Sequence, residues 1–226
     1  HGETFHWEGR YSEDLSSRET LRTDLNVFAD FKPKIPKAFR AAPYVMLGNI
    51  DPVLQIEVLE QIEKPAFVLA DTMNLWIDIR HAELQKLCGR IDMLVLNDEE
   101  ARQLTDQKNL VLAAKALRAL GPKQVCIKKG EHGALLFQGD EVFALPALPL
   151  SKVVDPTGAG DTFAGGLIGY LARSGDLSSP NLRRALVHGS ALASFCVEGV
   201  GTERVTSASP SDVHARLETF RQLTSF

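Results

Sequence analysis

Asp155-Pro156-Thr157-Gly158-Ala159-Gly160-Asp161-Thr162-Phe163, continued by Ala164-Gly165-Gly166, is the stretch on which the reading of this chain turns. Three small residues run directly into an apolar helical pattern. A backbone free of bulky side chains lets an anion approach closely, and the N–H groups of a helical first turn meet it with positive partial charge. Gly158, Ala159 and Gly160 thus read as an anion hole suited to a phosphoryl group in transfer. Asp161, at the helix mouth, is placed to accept a proton from an attacking hydroxyl. The plainer alternative is a capped helix start, with Asp161 as N-cap and the glycines as loop. The string is expected to follow a strand and to open a helix over Thr162–Arg173.

Outward from this stretch the chain alternates short apolar runs with helical patterns. Tyr44–Leu47, Ala66–Ala70, Met93–Leu96 and Gln124–Ile127 read as buried strands. Helices are expected from Asp51-Pro52, which supply an N-cap and a proline at the first position, and over His81–Cys88, Asp98–Thr105 and Leu110–Leu120. Ala134–Phe137 and Val142–Ala144 flank a turn at Gly139-Asp140. After Pro156 the pattern is helical, with further helices over Asn181–Val197 and from Ser211 to the end. Strand–helix alternation with near-continuous apolar strands predicts an α/β fold, a mostly parallel sheet covered by helices on both faces. Ligands of such folds bind at the carboxyl ends of the strands.

The first residues follow another rhythm. Phe5, Trp7, Gly9 and Tyr11 share one face of an extended strand, so Thr4–Leu25 reads as a half-covered strand pair. Pro33 to Pro43 is a connecting stretch. The 226 residues are 44% hydrophobic and 24% charged, an ordinary globular composition. A net charge of −4 gives no reason to expect nucleic acid or an anionic membrane as partner. No apolar run has the length of about 18 residues that a membrane span needs. Cys88, Cys126 and Cys196 are scattered among apolar residues, which suits buried thiols in a reducing cytoplasm.

The string from Asp155 to Phe163 resembles the second signature of the ribokinase (PfkB) family of carbohydrate kinases, and the resemblance runs from about Thr4 to the C-terminus. It implies an ATP-dependent transfer of the γ-phosphoryl group to a sugar hydroxyl, with Asp161 as base and Gly158, Ala159 and Gly160 as the anion hole. A nucleoside acceptor on the same fold, or a non-catalytic nucleotide-binding module, is the alternative. Asn97-Asp98-Glu99-Glu100 resembles the family's N-x-x-E motif, in which Asn97 and Glu100 would arrange Mg2+-bound water and phosphate. The same letters also describe a helix N-cap with an acidic first turn. Lys128-Lys129-Gly130-Glu131-His132-Gly133 resembles the nucleotide-contacting turn, giving Lys128, Gly130 and Gly133 to the nucleotide. Read alone it is a polar hairpin turn.

Ser190 stands where relatives often place an adenine-side Asn, a departure from the pattern. Thr157 falls near the nucleotide. Asp155 and Thr157, with backbone near Cys196 and Gly201, match a monovalent-cation site of many relatives or, equally, local hydrogen bonding. The implied cofactors are ATP, Mg2+ and K+. By the resemblance, residues 1–32 form part of a β lid and residues 33–226 the ribokinase-like α/β nucleotide-binding and catalytic domain. The family's opening strand with a sugar-binding Asp and its G-G-x-x-x-N segment have no counterpart here, and the chain opens on His1. It is therefore expected to lack the N-terminal sugar-binding part and to leave an apolar sheet edge. The aromatic lid face, with the pairing of lid strands in the family, implies a homodimer through the lid strands or a complex with the missing segment, formed near Thr4–Leu25. Arg18-Glu19-Thr20 reads as an exposed ion pair and Asn49-Ile50-Asp51 as a helix cap. Asp71-Thr72-Met73-Asn74 ends a strand at the cleft without an assigned role.

Overall fold

A computed structural model of the chain describes residues 1–12 and 18–225. Residues 13–17, within the expected lid, lie outside the described residues, as does the side chain of Arg18, so the ion-pair reading there is not addressed. Strands β1 (His6–Tyr11) and β2 (Arg18–Asp24) form an antiparallel ribbon. Burial alternates along β1, with Trp7, Gly9 and Tyr11 on the more covered side, as the period-two pattern predicts.

The main body begins at β3 (Tyr44–Leu47), followed by α1 (Pro52–Leu59), β4 (Phe67–Asp71), α2 (Asn74–Ile79), α3 (His81–Cys88) and β5 (Met93–Asn97). Next come α4 (Asp98–Thr105), α5 (Leu110–Ala119), β6 (Gln124–Lys128), β7 (Ala134–Gln138) and β8 (Glu141–Leu145). Helices α6 (Ala159–Ser174), α7 (Ser179–Cys196), α8 (Glu203–Ser207) and α9 (Pro210–Thr224) complete it. The sheet order is β3-β4-β5-β6-β7-β8. Strands β3 to β6 are parallel, and β7 and β8 add antiparallel at one edge. The opposite edge is β3, bonded on one side to β4.

Successive side chains of a strand point to opposite faces, and this sheet uses both. Val68, Ala70, Leu94, Leu96, Val125 and Ile127 pack with Leu84, Leu87, Leu104 and Leu117 on one side. Phe67, Leu69, Met93, Val95, Cys126 and Leu136 pack with Phe163, Leu167, Leu186 and Phe220 on the other. The result is three layers with α1 and α3–α5 on one face and α6, α7 and α9 on the other. No helix among the described residues is long and apolar enough to cross a membrane.

Two expectations about the Asp155–Phe163 string need correction. It does not follow a strand directly: β8 ends at Leu145, and residues 146–158 are irregular. Pro146, Pro149 and Pro156 lack N–H donors for a ladder, and the segment is instead tied to α7, whose Val197 carbonyl accepts from Val154 N at 2.7 Å. The helix also begins at Ala159 rather than Thr162, because Gly158 takes φ 81° as its cap and turns the chain at once into the helix. Asp161 is therefore the third helical residue and not the N-cap. Sequence reading also passed over α2 and α8, short helices that lack a side-chain cap.

The β6–β7 turn closes with Lys129 N donating to Gly133 O at 2.7 Å. Gly133 has φ 86°, and a Cβ there would stand 1.9 Å from Leu145 O. The glycine lets the end of β8 cross over the turn. Gly133→Ala is expected to destabilise the fold by about 3 kcal/mol, from the left-handed backbone and the overpacking together. Gly139→Ala, at φ 56° in open space, should cost only about 1 kcal/mol. Urea unfolding of the two variants checks the contrast.

Candidate functional site

The parallel strands are apolar along their length and turn polar at their carboxyl ends. Asp71 ends β4, Asn97 ends β5 and Lys128 ends β6, with Asn97 and Lys128 as register partners. The first turn of α6 lies over these ends. A Cβ built on Gly160 would stand 2.9 Å from Lys128 Nζ, so the bare Gly160 backbone and the ammonium are close neighbours.

Lys128 Nζ donates to Asp71 Oδ2 at 3.2 Å and Oδ1 at 3.5 Å. Both partners are largely withdrawn from solvent, with side-chain exposures of 18% and 6%. Burial alone would lower the Lys128 pKa, but the Asp71 and Glu100 carboxylates outweigh it and hold the ammonium above its usual value. Asp161, itself solvent-accessible, has its carboxyl pKa raised by partial desolvation and by the Asp71 charge, with Lys128 opposing. Asp71, Glu100, Asp161 and Lys128 thus act on one another electrostatically.

Asn97 and Glu100 form a reciprocal cap on α4. Glu100 N donates to Asn97 Oδ1 at 2.8 Å, and Asn97 N donates to Glu100 Oε2 at 2.7 Å. The capping alternative is realised in full, and it fixes the Glu100 carboxyl within electrostatic reach of Lys128. Asp155 Oδ1 accepts from Thr157 N at 2.9 Å, the local hydrogen bonding foreseen for these residues. The Cys196 thiol lies 3.5 Å from Thr157 O and 4.0 Å from Gly201 O, so the expected proximity of these backbones is met. The Tyr11 and Thr157 hydroxyls are 3.0 Å apart, which brings β1 onto the loop before α6.

Gly130 and Gly133 occupy the β6–β7 turn that directly follows Lys128, whereas Ser190 lies half-buried on α7. Among the described residues no hydrogen bond or ion pair joins Ser190 to the Lys128 cluster. Asp51 caps α1 as expected, whereas Asn49 bonds across to the start of α2 and takes no part in the cap. Asp51 accepts from Val53 N at 2.9 Å and from Arg80 Nε at 3.0 Å, and Asn49 Oδ1 accepts from Trp76 Nε1 at 2.9 Å. The residue that sequence reading left without a role is Asp71. A carboxylate ending the fully buried run of β4 requires a cationic partner, and that requirement was the available signal. Cys88 and Cys126 are pushed up to about 12 by burial and are inert as nucleophiles. Among the described residues no group of three or more His, Cys, Asp or Glu is arranged to hold a metal.

A family model described as pfkB family carbohydrate kinase matches residues 15–208. The chain is 31% identical over 175 residues to a cytidine kinase of Thermococcus kodakarensis, covering 75% of this chain and 62% of that protein. It thus spans less than two thirds of that relative's length. Its fold is similar to the ribokinase of Thermotoga maritima, with a TM-score of 0.74 at 21% identity over 96% of this chain and 70% of that one. A structure from E. coli named for ribokinase II, in complex with ATP and Mg2+, is similar with a TM-score of 0.62 at 22% identity, covering 80% and 59% of the two chains.

The reciprocal cap yields a stability contrast. Glu100→Ala removes the acceptor for Asn97 N and is expected to cost about 1 kcal/mol. Glu100→Gln keeps an acceptor oxygen at the same place and should cost clearly less. Thermal unfolding of both variants decides it, and equal losses would mean that the cap contributes nothing.

Proposed function

Because the chain belongs to the pfkB family of carbohydrate kinases, we propose that it transfers the γ-phosphoryl group of ATP to a hydroxyl of a sugar or nucleoside. The observation that carries this reading is the first turn of α6 over the strand ends. The Gly160 backbone is beside Lys128, Gly158 and Ala159 belong to the same turn, and Asp161 is the exposed third residue of the helix. In this reaction Asp161 takes the proton of the acceptor hydroxyl as its oxygen bonds to the γ-phosphorus. The bond from that phosphorus to the β–γ bridging oxygen breaks, and its electron pair leaves with ADP. The α6 N–H groups and Lys128 stabilise the charge carried by the moving phosphoryl oxygens. The names cytidine kinase and ribokinase share a pentose, so a pentose or pentose-bearing nucleoside is the acceptor class we favour.

Three carboxylates, Asp71, Glu100 and Asp161, act around the single Lys128 ammonium. A triphosphate added to that surplus of negative charge needs a divalent counter-ion. Glu100 fits Mg2+ held through water, because Mg2+ keeps several waters and takes few protein carboxylates. Bound there, the metal would neutralise phosphate charge. Asn97 orients Glu100 through the cap, and Gly130 faces open space where nucleotide could approach the β6–β7 turn that Gly133 shapes, with Ser190 on its adenine side. Asp155 and Thr157 would take K+ with the Thr157 and Gly201 carbonyls that approach Cys196. Residues 1–32 act as a lid and residues 33–226 as the nucleotide-binding and catalytic unit. Buried thiols suit a reducing cytoplasm.

Asp161→Asn is expected to abolish turnover while leaving ATP affinity nearly intact. A coupled ADP-release assay over pentoses, hexoses and nucleosides, run in K+ and in Na+, reads this out. Because Asp161 must be ionised to act and its pKa is raised, turnover should rise with pH through an acid limb above the usual Asp value of about 4. A variant with comparable kcat would remove Asp161 from the role of base. Turnover of neither sugars nor nucleosides would remove the kinase reading from this chain.

The ribbon carries a second expectation. Phe5 is 43% and Leu21 41% exposed, and a two-stranded ribbon leaves two open edges. We expect two copies to pair through β1 and β2. Light scattering across concentration should show a dimer, and a monomer throughout would discard it.

A further inference from the structure

We propose that Asp71 is the positioning residue that aims the Lys128 ammonium at the terminal phosphoryl group of the nucleotide, and that this fixed charge sets a preference for triphosphate over diphosphate. This deepens the kinase reading and rests on it. Three observations carry the inference. The ammonium ends β6, at the carboxyl edge of the sheet, and its neighbour across the gap is the side-chain-free backbone of Gly160. The far end of a lysine is normally mobile. Here Asp71 holds it from the end of β4, with both carboxylate oxygens within 3.5 Å of Nζ. Both side chains are largely buried, where an ion pair gains little net stability over apolar residues of similar size. The pair is thus poorly explained as a stabilising device and well explained as a preset charge.

The chemistry of the ammonium agrees. It carries three donors, and the Asp71 carboxylate engages one side of it. The Gly160 backbone lies beside the ammonium, in a first helical turn where Ala159 N donates to Pro156 O at 3.1 Å and the Gly160 and Asp161 N–H groups have no intrahelical partner. An oxyanion placed there is met by the helix terminus from one side and by Lys128 from the other. Gly160 has to lack a side chain, since a Cβ would meet an ammonium that Asp71 does not let swing away. The diphosphate left after transfer lacks the phosphoryl group that occupied this place, so Lys128 favours triphosphate over diphosphate.

Calorimetric titration of the chain with Mg2+·ADP and with the non-hydrolysable Mg2+·AMP-PNP tests this without requiring turnover. Lys128→Met is expected to lower the affinity for AMP-PNP about tenfold more than that for ADP, the weight of one charge-assisted hydrogen bond. Lys128→Arg should restore part of the selectivity. Lys128→Met leaves Asp71 buried without its partner, so the neutral pair Asp71→Asn with Lys128→Met serves as the folded control. Asp71→Asn alone should lower triphosphate selectivity, yet should add no further loss in the Lys128→Met background. If Lys128→Met, or the neutral pair, binds both nucleotides with the unsubstituted ratio, Lys128 does not contact the terminal phosphoryl group. Additive losses would show that Asp71 does not act through Lys128. If the unsubstituted chain binds neither nucleotide, the kinase reading fails and this inference falls with it.

Discussion

Burial of the central strands on both faces is the constraint on which the rest of the molecule depends. Leu69, Leu94, Val95 and Ile127 have no solvent exposure at all. A charge placed midway along β4, β5 or β6 would have no water and no room for a partner. Polar chemistry is therefore confined to strand ends, and parallel strands put their carboxyl ends on one edge. That single edge receives Asp71, Asn97 and Lys128, and the α6 terminus closes over it. The site follows from the sheet direction as much as from the residues themselves.

The same constraint explains what could be read in the sequence. Runs such as Met93–Leu96 are long enough and apolar enough to announce a strand covered on both sides, and the alternation of strands and helices then fixes the architecture. Helix α4 was legible to the residue because Asn97 and Glu100 cap each other. The start of α6 was not, since it depends on the backbone angle of Gly158, and a glycine letter does not reveal which region of φ it occupies. Helix α2 was missed because Met73 offers no side-chain cap and the helix is only six residues long, too short for a helical period to show. The Asp71–Lys128 pair joins residues 57 positions apart. Each half reads alone as a polar strand end, and only the parallel pairing of β4, β5 and β6 brings them together.

The motifs also do two jobs at once, and the structure separates them. The Asn97–Glu100 pair is a helix cap in its hydrogen bonds and a charge source in its effect on Lys128. Gly133 is required by the passage of β8 across the turn, whatever ligand the turn receives. Asp155 holds the turn at Thr157, which in turn meets Tyr11. Structural and chemical readings of such residues are compatible, because a group fixed by its own hydrogen bonds is also a group held in place for a ligand.

The ribbon of β1 and β2 obeys different physics. A two-stranded ribbon has little stability of its own, so its position depends on where it is fastened. At its root Asn26 Nδ2 donates to Thr4 O at 2.8 Å, Val27 N donates to Glu3 O at 3.2 Å, and Phe5 packs edge-on against Phe28. At the far end of β1 the Tyr11–Thr157 hydrogen bond reaches the loop before α6. A single exposed hydrogen bond contributes only about 1 kcal/mol. Among the described residues the root is fastened by several contacts, and the Tyr11–Thr157 bond is an exposed contact outside the packed sheet. A polar contact of this size, set on the loop that leads into α6, joins the ribbon to that loop and not to the packed layers beneath it.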